Sequence, residues 1–194
     1  MKLLSSILFF SLLLTAASRK ADEFALPTPD GRTIRLSEQK DKVVVLEFLQ
    51  TGCPRCIESG RMLQKIYEER ASKGLMIIGI SHDQGGLPAI KKYIEEHKLT
   101  YPVVLGDLSV AVNYTGASPA HPSFDVPLFV FIGRDGNVAA KRALENLDDR
   151  DFYLQMPKSI EVIVDRLLLA PRAVEGTPEK KTPPGKKGNP RSGV

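Results

Sequence analysis

The chain has 194 residues, 42% of them hydrophobic and 26% charged, with a formal net charge of +4. That length suits one domain with an ordinary core, the composition excludes wholesale disorder, and the single apolar stretch longer than ten residues excludes a polytopic membrane protein. The basic balance gives no support to nucleic-acid binding, because residues 1–18 carry +1 and residues 171–194 carry +4, whereas the stretch 19–170 sums to −1.

In chain order, Met1-Lys2 precedes the apolar run Leu3–Leu14 and then the small residues Thr15-Ala16-Ala17-Ser18. A spanning helix needs roughly 20 apolar residues, so residues 1–18 read as a cleaved signal peptide, with an uncleaved N-terminal anchor as the alternative. No cysteine lies near residue 18, which excludes a lipoprotein. An exported protein works where disulfides persist, and the chain is expected in the periplasm or another extracytoplasmic space. The domain is expected over 22–170. The tail 171–194 is rich in Pro, Gly and Lys and is expected to be a disordered, solvated extension. It offers at most a weak association with membrane or envelope polymer.

Within the domain, Phe24-Ala25-Leu26 and Thr33-Ile34-Arg35 flank Asp30-Gly31, which predicts a small hairpin. The nearly continuous apolar run Val43–Leu49 predicts a strand buried on both faces. Met62, Leu63, Ile66 and Tyr67 predict a helix over 56–73, stopped at Lys73-Gly74. Leu75–Ile80 reads as a second buried strand, Ala89–His97 as a helix and Pro102–Leu105 as a short strand. Leu128–Ile132 predicts a further strand, turned by Arg134-Asp135-Gly136-Asn137 towards Val138-Ala139-Ala140, and Ile160–Leu169 a closing amphipathic helix. This order argues for an α/β domain with a mixed central sheet flanked by helices. Residues 115–125 read as a surface loop or a lid, the latter bringing His121 towards the site. Ser81-His82-Asp83 holds the residue types of a hydrolase triad, but adjacent residues cannot adopt triad geometry; they read as the end of a strand, with His82 or Asp83 close to the site.

The two cysteines stand in Gly52-Cys53-Pro54-Arg55-Cys56, between the buried strand and the first helix. Cys53 at a helix start meets unpaired N–H groups and the positive end of the macrodipole, with Arg55 nearby, and both favour an attacking thiolate. Cys56, one turn later, can resolve the mixed disulfide that Cys53 forms. The competing readings are a structural disulfide, which would constrain only a very short loop, half of a zinc site, for which His82, His97 and His121 lack the spacing, and two inert buried thiols. A redox-active dithiol explains the helix-start position best and needs neither metal nor organic cofactor.

These residues resemble the thioredoxin-like thiol–disulfide oxidoreductases of the redoxin type, the group that includes the extracytoplasmic TlpA and ResA proteins. The resemblance covers about 24–168. It rests on the Leu26-Pro27-x-x-Asp30-Gly31 hairpin, the strand into Cys53-x-x-Cys56, Val126-Pro127 before strand 128–132, and the Asp135-Gly136 turn. It implies that Pro127 is a cis-proline opposite the dithiol and that Val126 pairs through its backbone with a substrate peptide. It also implies a buried acid at Glu47, six residues before Cys53, where a raised pKa suits proton exchange with Cys56 through a water; solvent exposure at a strand edge is the alternative. Two departures stand out. Gly52 replaces the Trp that usually precedes the first cysteine, and Leu128 stands where Thr is common. Gly52, Pro54 and Arg55 are therefore expected to modulate the site.

The reading that follows is an exported enzyme, expected to be a monomer, that exchanges electrons with protein thiols or disulfides and with an upstream donor or acceptor. Peroxide reduction of the peroxiredoxin type is the first alternative; there the family pattern wants Thr three residues before the cysteine, and Thr51 is two before Cys53. A copper-binding or chaperone module using Cys53, Cys56 and His121 is the second.

Overall fold

Seven consecutive buried residues, Val43–Leu49, form the strand around which the domain is built. The computed structural model describes residues 19–171, so the signal-like segment 1–18 and all of the tail beyond Pro171 lie outside the described residues. Strands β1 (Ala25–Pro27) and β2 (Thr33–Arg35) pair antiparallel as the expected hairpin. Strands β3 (Val43–Leu49), β4 (Leu75–Ser81), β5 (Val103–Leu105), β6 (Leu128–Ile132) and β7 (Val138–Arg142) form one sheet in the order β5-β4-β3-β6-β7. The β3–β4 and β4–β5 pairs are parallel, and β3–β6 and β6–β7 are antiparallel. The sheet is mixed, as the order of patterns implies. Lys20 also pairs with Asn137, and Val138 N–H bonds to Arg19 O, so the ordered body starts before residue 22.

Period-two alternation divides β3 between two cores. Val43, Val45 and Leu49 face helices α1 (Pro54–Arg70), α2 (Gly86–His97) and α5 (Lys158–Leu169), whose Leu63, Ile66, Ile90, Tyr93, Ile160 and Val164 close that side. Val44, Leu46 and Phe48 face the hairpin residues Phe24 and Leu26 and helix α3 (Leu108–Thr115) through Val110 and Tyr114.

The helices differ from the sequence expectation in informative ways. Helix α1 starts at Pro54 rather than 56, because proline at the first helical position has its φ already set and lacks an N–H that would go unbonded there. It ends at Arg70, and a 3-10 turn over Ala71–Lys73 runs into Gly74, whose φ of +98° only glycine adopts freely. Helix α3, for which the sequence patterns predicted no element, is capped by Asp107, whose carboxylate accepts the Val110 N–H at 2.9 Å. Helix α4 (Arg150–Leu154) spans only five residues, too few for a periodic signal. It is nonetheless tied to the core by Phe152, whose ring lies 5.7 Å from Phe129 and 6.2 Å from Phe131, centroid to centroid. No helix among the described residues is long and apolar enough to cross a membrane.

Phe152→Ala leaves a cavity against β6, and the expected cost is about 3 kcal/mol. Equilibrium denaturation checks this as a lower midpoint with an unchanged slope.

Candidate functional site

Strand β3 runs straight into the dithiol. Leaving the sheet at Leu49, the chain turns through Gln50-Thr51-Gly52, with Cys53 N–H bonded to Gln50 O at 3.1 Å. Cys53 has extended backbone angles and is the N-cap of α1, its sulfur accepting the Cys56 N–H at 3.4 Å. That sulfur sits at the helix N-terminus, where the backbone N–H groups lack intrahelical partners. Cys53 is half-buried, whereas Cys56 is fully buried in the core face below it. Both are free thiols. Burial, then the hydrogen bond with Cys53, pushes the Cys56 thiol far above its usual range, so the two sulfurs are chemically unequal.

Gly52, Pro54 and Arg55 are exposed around this turn. A Cβ at Gly52 would meet nothing within 4 Å, so the place of the expected Trp is open space. Arg55 points to solvent.

Glu47 is fully buried on the same face of β3 as Val45 and Leu49, which excludes the strand-edge alternative. In the sheet it lies between Gly79 of β4 and Phe129 of β6. Two hydroxyls reach it: Ser59 on α1 makes a short hydrogen bond to one carboxyl oxygen, and Tyr101 donates to the other at 3.4 Å. Burial pushes the Glu47 carboxyl up to about 8, against the smaller pull of those two hydroxyls. Ser59 Oγ is also 3.1 Å from the Cys56 carbonyl oxygen. A hydroxyl has one proton. With Glu47 protonated, the carboxyl can supply the first contact and Ser59 the second, so the Cys56 turn and the strand acid are linked through one serine.

Further groups complete the surroundings. Tyr93 of α2 donates to the Cys56 carbonyl at 3.0 Å. Gly60 makes room for this phenol, because a Cβ there would lie 2.5 Å from Tyr93 Oη. Asp83 accepts the Thr51 N–H at 2.6 Å and the Ser81 hydroxyl at 2.7 Å, tethering the turn before Cys53 to the end of β4. His82 stacks on Phe48 at 5.9 Å, with Phe124 edge-on at 5.2 Å. The Ser81-His82-Asp83 run is therefore a support for the site.

Val126-Pro127 is a cis peptide, with Pro127 buried and Val126 half-exposed at the border of the core that contains Cys56. Tyr153 on α4 donates to Pro127 O at 2.9 Å. The 115–125 segment turns at Ser118–His121 and pins itself at Phe124; His121 is exposed. Among the described residues no three His, Cys, Asp or Glu are placed to hold a metal ion, so Cys53, Cys56 and His121 form no such set.

Sequence reasoning missed Ser59, Tyr93, Tyr101 and Tyr153. The spacing from Cys56 to Ser59 put that serine on the helix face of the cysteine, and this was a usable signal. The tyrosines are brought in by tertiary folding alone.

The pH dependence of stability checks the buried acid. Below about pH 4.5 folded and unfolded chains both hold the Glu47 proton. Between about 4.5 and 8 only the folded chain keeps it, so this group makes stability fall as pH rises through that window. Glu47→Gln should lose that fall. His82, whose pKa is lowered by burial, acts in the opposite sense but is common to both proteins, so the difference between their denaturation curves isolates Glu47.

Residues 17–141 match the family described as the AhpC/TSA family. The thiol-disulfide oxidoreductase ResA of Bacillus cereus is 26% identical over 138 residues, spanning 71% of this chain and 76% of that protein. ResA of Halalkalibacterium halodurans is 26% identical over 125 residues, spanning 64% and 67%. Among solved structures, a thiol:disulfide interchange protein of the thioredoxin family from Chlorobium tepidum superposes with a TM-score of 0.63 at 24% identity, covering 79% of this chain and 98% of that one. A thiol:disulfide interchange protein from Bacteroides sp. gives 0.58 at 25%, covering 77% and 91%. With its mixed sheet, flanking helices and N-terminal hairpin, the chain has the thioredoxin-like fold and belongs to the AhpC/TSA family.

Proposed function

We propose that the protein is an exported thiol–disulfide oxidoreductase whose two electrons are carried by Cys53 and Cys56. The observation that supports this best is the inequality of the two sulfurs. One is half-buried and caps a helix; the other is sealed beneath it, with a buried carboxyl one serine away.

In the reducing direction, Cys53 Sγ attacks one sulfur of a client disulfide. The client S–S bond breaks, a Cys53–client disulfide forms, and the departing client thiolate takes up a proton. Cys56 then gives its proton to Glu47 in its ionised form, which becomes populated as pH approaches about 8, and attacks Cys53 Sγ. The mixed disulfide breaks, the Cys53–Cys56 disulfide forms, and the second client thiol leaves. The client gains two electrons and the dithiol loses two. The reverse sequence oxidises client thiols, and an upstream donor or acceptor resets the pair. No metal or organic cofactor enters any step. Gly52, Pro54 and Arg55 shape access to Cys53, and Val126 and Pro127 form the neighbouring surface for the client. The signal-like residues 1–18 support export, and the basic segment 171–194 supports at most loose envelope contact.

The expected outcome for Cys53→Ser is loss of insulin-disulfide reduction, and for Cys56→Ser accumulation of a Cys53–client mixed disulfide visible by non-reducing electrophoresis. Glu47→Gln should slow turnover by about 10²-fold and remove a titration near pH 8 from the rate profile. Wild-type turnover by Cys53→Ser, or consumption of peroxide instead of peptide disulfides, would overturn the reading.

A further inference from the structure

Helix α4 carries a side chain that none of the chemistry above uses. The Tyr153 Oη lies 2.9 Å from Pro127 O and 2.9 Å from Arg142 O, so one phenolic proton is shared between two carbonyls. The first carbonyl immediately precedes β6, and the second belongs to the last residue of β7. Phe129 and Arg142 are register partners, so the phenol ties together the ends of two paired strands. Its ring is fixed by Phe129 at 6.1 Å and Phe152 at 5.1 Å. Burial pushes the Tyr153 hydroxyl well above its usual range, so it remains a donor at any working pH.

The consequence falls on Val126. Leu128 is held in register opposite Phe48, and the Pro127 carbonyl is taken by the phenol. Among the described residues the Val126 N–H and C=O have no hydrogen-bond partner, and half-exposed Val126 lies just beyond the Phe48–Leu128 register pair, at the end of the sheet from which β3 runs into Cys53. A free backbone pair in a fixed, half-open position is what an extended polypeptide recognises. A small disulfide offers little backbone to meet it.

We propose that Tyr153 is a positioning residue for substrate: by drawing the Pro127 carbonyl inward it presents the Val126 backbone to an extended polypeptide disulfide, and so sets a preference for polypeptides over small disulfides. This rests on the oxidoreductase reading above. Tyr153 touches neither sulfur in this role. It acts on client binding and leaves the electron chemistry of the dithiol alone.

The test is Tyr153→Phe, which keeps the ring and removes only the donor, assayed on a disulfide-bonded peptide and on glutathione disulfide. The loss of one shared hydrogen bond should raise KM for the peptide by about fivefold and lower the peptide-over-glutathione preference by a similar factor. Peptide kcat and the Cys53/Cys56 reduction potential should keep their wild-type values. An unchanged peptide KM in Tyr153→Phe, with an increase only in Tyr153→Ala, means that ring packing alone matters and overturns the proposal. A shifted potential with an unchanged KM overturns it too. A second measurement keeps Tyr153 intact: in the mixed disulfide of Cys56→Ser with the peptide, the Val126 amide should become protected from hydrogen exchange, and absence of protection overturns the proposal. If the wild-type protein reduces no peptide disulfide at all, the oxidoreductase reading falls with it.

Discussion

A carboxyl group at the centre of a buried strand is the constraint on which the site depends. Glu47 is flanked by two strands, sealed from solvent and reached only by hydroxyls. An ionised carboxylate in such a place is costly, and an unpartnered one more so. The protein meets this by holding the acid largely protonated and giving its oxygens two partners, Ser59 and Tyr101. In the proposed reaction this buried acid is the group that exchanges a proton with Cys56. Its position is set by the alternation of β3, the same alternation that sends Val45 and Leu49 into the core containing Cys56.

The second element is the direct passage from β3 into α1. A strand that ends four residues before a helix N-terminus delivers the N-cap to the carboxyl end of the sheet, where helix N–H groups are unbonded. Cys53 takes that position and Cys56 falls one turn deeper, so a difference of three residues becomes the difference between a half-exposed and a sealed thiol. The turn between strand and helix is held from outside the motif, by Asp83 at Thr51, and the Pro127 carbonyl is held by Tyr153. The rigid sheet sets where the sulfurs are, and these two side chains set how the backbone around them is presented.

What was legible beforehand follows the range of the signal. The apolar runs of β3, β4 and β6 and the periodicity of α1, α2 and α5 are local, and they placed the sheet and most helices. Cys53 and Cys56 were legible because both lie at one strand–helix passage, and Glu47 was legible through the resemblance. Pro127 was legible through its resemblance context. Helix α3 had a readable cap in Asp107 and a stop in Gly116, but its apolar face is short. Helix α4 had no periodic signal, and Tyr153 was lost with it. Tyr101 meets Glu47 across 54 residues of chain and Asp83 meets Thr51 across 32, and no spacing rule reaches so far. His121, which the lid alternative for residues 115–125 would bring towards the site, is exposed, and Phe124 is the residue that anchors that loop.

The central claim is that the two sulfurs differ in kind, one for attack and one for resolution. Limited alkylation of the reduced protein with iodoacetamide at neutral pH, followed by peptide mass mapping, tests it most directly. The expected result is modification of Cys53 with Cys56 still free until the fold is opened by denaturant. Modification of Cys56 before Cys53, or of both at equal rates in the folded protein, would contradict it.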